Sequence, residues 1–86
     1  MDRERELRRL RDRGVKAAKL MNDETFQDVF QSVRNSLLEG IEHGANTTEE
    51  REVLYRGLDG INRLRRELET RIVEGADAES DLRDLN

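Results

Sequence analysis

From Phe26 onward, apolar side chains return at steps of mostly three and four: Phe26, Val29, Phe30, Val33, Leu37, Leu38 and Ile41. That spacing draws one broad stripe along a helix, with Gln27, Asp28, Gln31, Arg34 and Glu42 mostly opposite it. Asn22 and Asp23 ahead of the run are good N-cap residues, and Gly44 stands where a left-handed C-cap would stop the helix. His43, in the last turn, suits the negative end of the helix dipole. Thr47-Thr48-Glu49-Glu50 then reads as a capping box, in which Thr47 accepts from the Glu50 amide and the Glu50 side chain reaches back. A second stripe follows at Leu54, Leu58, Ile61, Leu64, Leu68 and Ile72, flanked by Val53 and Val73, and Gly75 is expected to end it. A stop, a short connection and a start predict an antiparallel helical hairpin over residues 22–75, its first helix at 22–44 and its second at 47–75. At 1.5 Å per residue the second arm, roughly 40 Å long, should overhang the first, roughly 31 Å long.

The segments outside the hairpin carry weaker patterns. Leu7, Leu10, Gly14, Ala17 and Met21 alternate steps of three and four, a heptad seam with small or sparse occupants. Opposite charges four apart (Glu4/Arg8, Arg8/Asp12, Asp12/Lys16) support an exposed helix, so residues 1–21 are expected to form a basic helical arm, marginal alone. Residues 76–86 have only Leu82 and Leu85 to bury and are expected to be an acidic flexible tail or a short docking segment. The fold class is therefore all-α. A two-helix hairpin shares a single interface, and a chain near this size rarely draws more than about 3–5 kcal/mol from one core. Two wide stripes facing each other also leave edges of Phe26, Val29, Val53 and Val73 partly uncovered, which favours self-association, such as a four-helix dimer, or docking on a larger partner; folding the N-terminal arm back as a third helix of a monomer is the alternative.

Composition narrows the chemistry. Of 86 residues 42% are charged, three are aromatic (Phe26, Phe30, Tyr55), one is His and none is Cys, Pro or Trp. Disulfide frameworks and Cys-ligated metal sites are excluded, and a single His leaves the usual triads and His-based metal sets without their parts. No apolar run approaches the roughly 18–20 residues that span a bilayer, and the Arg-rich start lacks the apolar region of a signal peptide. No enzymatic activity, cofactor, metal, small-molecule substrate or membrane insertion is expected, and the chain should stay inside the cell.

Charge is unevenly spread: residues 1–20 hold eight Lys/Arg against four Asp/Glu, while 76–86 hold one Arg against four acids. The head (Arg3, Arg5, Arg8, Arg9, Arg11, Arg13, with Lys16 and Lys19) could track phosphates. Interleaved Asp2, Glu4, Glu6 and Asp12 and the scarcity of aromatics argue against nucleic acid. An acidic protein surface, including the tail of another copy, fits the head as well. Arg63, Arg65, Arg66 and Arg71 lie within reach of Asp59, Glu67 and Glu69 and are expected to form a solvated, ion-paired face.

Gly57 and Gly60 lie inside the second helix, where each costs about 1 kcal/mol relative to Ala. Either another helix approaches closely there or the packing tolerates them. Tyr55, whose ring can pack while its hydroxyl meets water, is the best single interface candidate. With it, Gly57, Leu58, Gly60 and Ile61 make the candidate partner-binding set.

The run Lys16-Ala-Ala-Lys-Leu-Met-Asn-Asp-Glu-Thr-Phe-Gln-Asp-Val-Phe leads the first helix. Arg51-Glu-Val-Leu-Tyr-Arg-Gly-Leu-Asp-Gly-Ile-Asn-Arg-Leu-Arg-Arg-Glu-Leu-Glu opens the second, which closes on Val73-Glu-Gly. Over residues 16–75 this pattern resembles small helical-hairpin proteins of tailed bacteriophages encoded among virion structure and assembly genes. The resemblance implies a non-enzymatic virion component or assembly factor, located in the virion or the host cytoplasm. Its partners would be other copies of itself or a larger virion protein such as capsid, portal or connector. The other reading is a small regulatory protein that binds and masks a host protein, for example a defence component.

Overall fold

The computed structural model describes residues 2–85 and is all-α. Helix α1 spans Asp2–Met21, α2 spans Glu24–Glu39, a π-helical turn covers Gly40–Gly44, and α3 spans Thr48–Asp84. Met1 and Asn86, the outermost residues of the expected arm and tail, lie outside the described residues. The chain divides into two compact units, one made of residues 2–23 with 66–85 and the other of Glu24–Arg65.

In the first unit α1 lies antiparallel to the C-terminal part of α3. Leu7 packs with Ala78 and Leu82, joined by Leu10 at the margin. Ala17 and Leu68 are also buried. Each buried leucine contributes about 1.5–3 kcal/mol relative to remaining in water. The heptad seam of α1 is thus a packing surface, and the arm folds back instead of reaching out.

Gly75 does not end the second helix, as its type suggested; it lies inside α3. The reason is a backbone-on-backbone crossing. A Cβ on Gly14 would fall 2.7 Å from the Arg71 carbonyl oxygen and 2.8 Å from the Gly75 Cα, and one on Gly75 would fall 2.8 Å from the Gly14 Cα. Only two glycines let these helices meet so closely, and the contacts they permit offset the helix propensity lost at each. The acidic segment expected as a flexible tail is accordingly the last part of α3 as far as Asp84, anchored through Ala78, 1% exposed, and Leu82, 8% exposed.

The second unit, Glu24–Arg65, is the part of the predicted hairpin nearest its connection. Its first helix ends without the left-handed glycine expected at Gly44, for no described residue has a positive φ. The helix widens instead: the Ala45 amide donates to the Gly40 carbonyl five residues back, at 2.8 Å, and Ala45 turns to an extended conformation. Thr47 then caps α3, its Oγ1 accepting from the Glu50 amide at 3.1 Å. The Glu50 carboxylate reaches back to the Asn46 amide at 2.8 Å, one residue before the position a standard capping box would use.

No residue of this unit is buried. Phe26, Phe30, Leu37, Leu38 and Ile41 from α2 meet Leu54, Leu58 and Ile61 from α3 only as half-buried side chains. The two phenylalanine rings sit 6.0 Å apart, tilted by 34°, and the Arg65 guanidinium lies 5.9 Å from the Phe30 ring centre.

Candidate functional site

The basic arm is not an open cationic surface. Arg3 lies 3.5 Å from Asp81, Arg11 lies 3.8 Å from Glu79 and Arg13 lies 4.0 Å from Glu67, so part of its charge faces acids of the same chain. Arg8 pairs with Glu4 at 2.6 Å, and Arg9 holds Glu6 through two hydrogen bonds. The hydrogen-bonded Arg9 guanidinium keeps the Glu6 carboxyl below its ordinary range. Of the six candidate arginines, Arg5 makes no ion pair among the described residues. On α3, Arg63 pairs with Asp59 at 3.2 Å and Arg71 with Glu67 at 3.1 Å, both within the helix and exposed. Arg65 turns toward Phe30, a contact that charge spacing alone did not suggest. Exposed pairs of this kind are each worth about 0–1 kcal/mol.

His43 lies 3.6 Å from Glu42 in the π-helical turn. No cluster of three or more His, Asp or Glu side chains that could hold a metal ion occurs among the described residues. Among the described residues, no helix is long and apolar enough to cross a membrane.

The five candidate partner-binding residues separate into three environments. Leu58 and Ile61 are half-buried on the stripe that faces α2. Tyr55, 53% exposed, lies two residues from Gly57 and hence roughly 160° around the helix at about 100° per residue. They do not form one patch. Asn62, seven residues after Tyr55, shares its flank, and there the Asn62 Oδ1 is shielded from water without a hydrogen-bond partner, as is the Arg34 Nε of α2.

Gly57 and Gly60 belong to the other flank, with Val53 and Leu64. These four recur at helical spacing and lie about a quarter turn behind the inward stripe. On α2, Val29, Val33, Ser36 and Gly40 lie about a quarter turn behind Phe26, Phe30 and Leu37 in the same rotational sense. In an antiparallel pair of right-handed helices, two flanks displaced in the same sense fall on the same side. Two contacts agree with this placement: a Cβ on Gly40 would fall 3.0 Å from the Leu54 Cδ1, and one on Gly57 would fall 3.0 Å from the Leu37 Cδ2. Each flank's glycine therefore lies against the opposite helix, whereas Gly60 has open space beside it.

The result is one side of the hairpin with no charged residue between Val29 and Gly40 or between Val53 and Leu64 along these flanks, in a chain that is 42% charged. Val29, Val33, Val53 and Leu64 all stand on it between 45% and 64% exposed. Residue type flagged only Gly57 and Gly60; the valines and Leu64 had been read as core or its edge, and only the hairpin's geometry brings the four positions of each helix together. The arrangement offers no acid–base pair to activate its one hydroxyl, that of Ser36. It offers apolar area, small residues that permit close approach, and no charge to desolvate.

No known protein family, characterised protein or solved structure matches this chain.

Proposed function

We propose that this chain acts by binding proteins through its helical hairpin, as a small structural or assembly component of the tailed-phage kind that residues 16–75 resemble. The observation that carries the reading is the uncharged, solvent-exposed side of the hairpin in a unit that buries no residue of its own. Exposed valines concentrated on one face mark a surface that gains stability when covered. The polar surfaces favour a protein over a nucleic acid as the partner, because Arg3, Arg11 and Arg13 face acids of the same chain. Under this reading the arm and the C-terminal segment brace one another, and the hairpin does the docking. Catalysis, a cofactor and a small-molecule substrate have no part in it.

The test is site-specific photo-crosslinking from position 53 of the full chain, expressed in its native setting, followed by identification of the adduct. Adducts with capsid, portal or connector subunits, or with the chain itself, support the assembly reading. A single host protein would support the masking alternative in its place. Crosslinking to nucleic acid, or to no macromolecule, would refute docking through this side.

A further inference from the structure

We infer that the uncharged side of the hairpin is self-complementary and pairs with the same side of a second copy of this chain, giving a four-helix dimer. The inference rests on the protein-docking reading and names its first partner. Two observations support a second copy.

The first is area. The side is about two helix widths across, each about 10 Å, and about 12 residues of 1.5 Å rise long, which gives a footprint of roughly 360 Å². Side-chain relief raises the accessible area buried to about 500 Å² per copy, in the range of weak, reversible two-chain interfaces.

The second is shape. Gly57 and Gly60 on α3, and Ser36 and Gly40 on α2, leave low ground between the raised Val29, Val33, Val53 and Leu64. A twofold axis parallel to the helices lays α2 of one copy antiparallel on α3 of the other. The Gly40–Leu54 and Leu37–Gly57 contacts set the heights of the two helices. At those heights the partner's Val29 falls near Leu64 and its Ser36 near Gly57, while its Val33 falls over Gly60 and its Gly40 under Val53, so two raised residues seat over low ground.

The exposed Val15 and Val73 of the other unit have no equivalent claim, because that unit already holds Leu7, Ala17, Leu68, Ala78 and Leu82 buried.

The experiment is sedimentation equilibrium of the full chain across a wide concentration range, with helicity followed in parallel. The wild type is expected to titrate from one to two copies of the 10.1 kDa chain. Val53→Glu, which places a charge at the interface twice, should weaken the dimer by about 100-fold or more. Val53→Ser, which disturbs the monomer less, should weaken it by about 10-fold. Tyr55→Glu on the opposite flank should leave the association unchanged. A wild type that stays monomeric at every concentration overturns the inference, while crosslinking from position 53 to another protein would still uphold docking. A dimer broken by Tyr55→Glu and untouched by both Val53 variants also overturns it. Loss of helicity in Val53→Glu would leave Val53→Ser and the wild-type mass to decide.

Discussion

Replacing Gly14 with Ala tests whether the two backbones in the first unit truly touch. The new Cβ would lie 2.8 Å from the Gly75 Cα, where ordinary contact begins at 3.4 Å, so the helices must part by roughly 0.6 Å. Neither obstructing atom is a flexible side-chain end; both the Arg71 oxygen and the Gly75 Cα are backbone. A gap of about 0.5–1 Å forfeits about a quarter to a half of each contact's attraction, and it opens along a seam lined by Leu7, Ala17, Leu68, Ala78 and Leu82. Overpacking of this kind costs about 1–3 kcal/mol, and rigid obstruction on both sides puts Gly14→Ala near the top of that range. Better helix propensity returns about 1 kcal/mol. The expected net loss is about 1–2 kcal/mol, or a fall in Tm of about 5–15 °C for a chain of this length.

Gly60→Ala is the internal control, since nothing stands within 4 Å of its Cβ position. It should stabilise by up to about 1 kcal/mol through propensity alone. Thermal and urea unfolding followed by far-ultraviolet circular dichroism, at one protein concentration low enough to keep the chain monomeric, measures both. If Gly14→Ala proved as stable as Gly60→Ala, the close crossing would be wrong, and with it the reason α3 runs through Gly75.

Two further outcomes follow from the same packing. Leu82→Ala should cost about 2–4 kcal/mol, whereas Asp81→Ala, removing only an exposed partner of Arg3, should cost less than about 0.5 kcal/mol; urea titrations in low and high salt distinguish apolar anchoring of the C-terminal segment from electrostatic anchoring. Thr47→Ala removes the Oγ1 that accepts from the Glu50 amide and should lower stability by about 1 kcal/mol, with faster amide exchange confined to the first turn of α3.

The hairpin was readable in the sequence because each of its signals is local. Thr47 and Glu50 lie within one turn of each other, and the stripes of Phe26 to Ile41 and Leu54 to Leu64 have a single period. The end of the first helix was misread at Gly44 because a π-helical widening satisfies the chain as well as a left-handed glycine does, and residue type does not separate the two. Gly75 was misread for a related reason. A glycine after an apolar run is the commonest stop signal, and its partner at the crossing, Gly14, lies far away in the chain. A usable signal was present, since steps of three and four continue unbroken through Gly75, Ala78, Leu82 and Leu85. Weak periodicity in the two charged segments hid the fact that Leu7, Gly14 and Ala17 are matched by Gly75, Ala78 and Leu82. The docking side was legible only in part: Val29 and Val53 stand at stripe edges that two facing helices leave partly uncovered, whereas Val33 and Leu64 count as core on the linear pattern. Only the turn that folds α2 against α3 decides which apolar residues are covered.

The most direct measurement is amide hydrogen exchange of the full chain at two concentrations, one well below and one well above the association range. At the low concentration, residues 24–65 should exchange faster than the amides around Leu7, Ala17, Leu68 and Leu82, because only the latter surround buried side chains. At the high concentration protection should rise in the hairpin and stay constant elsewhere. A hairpin as well protected as the first unit at both concentrations would contradict the claim that its exposed side is built to be covered by a second chain.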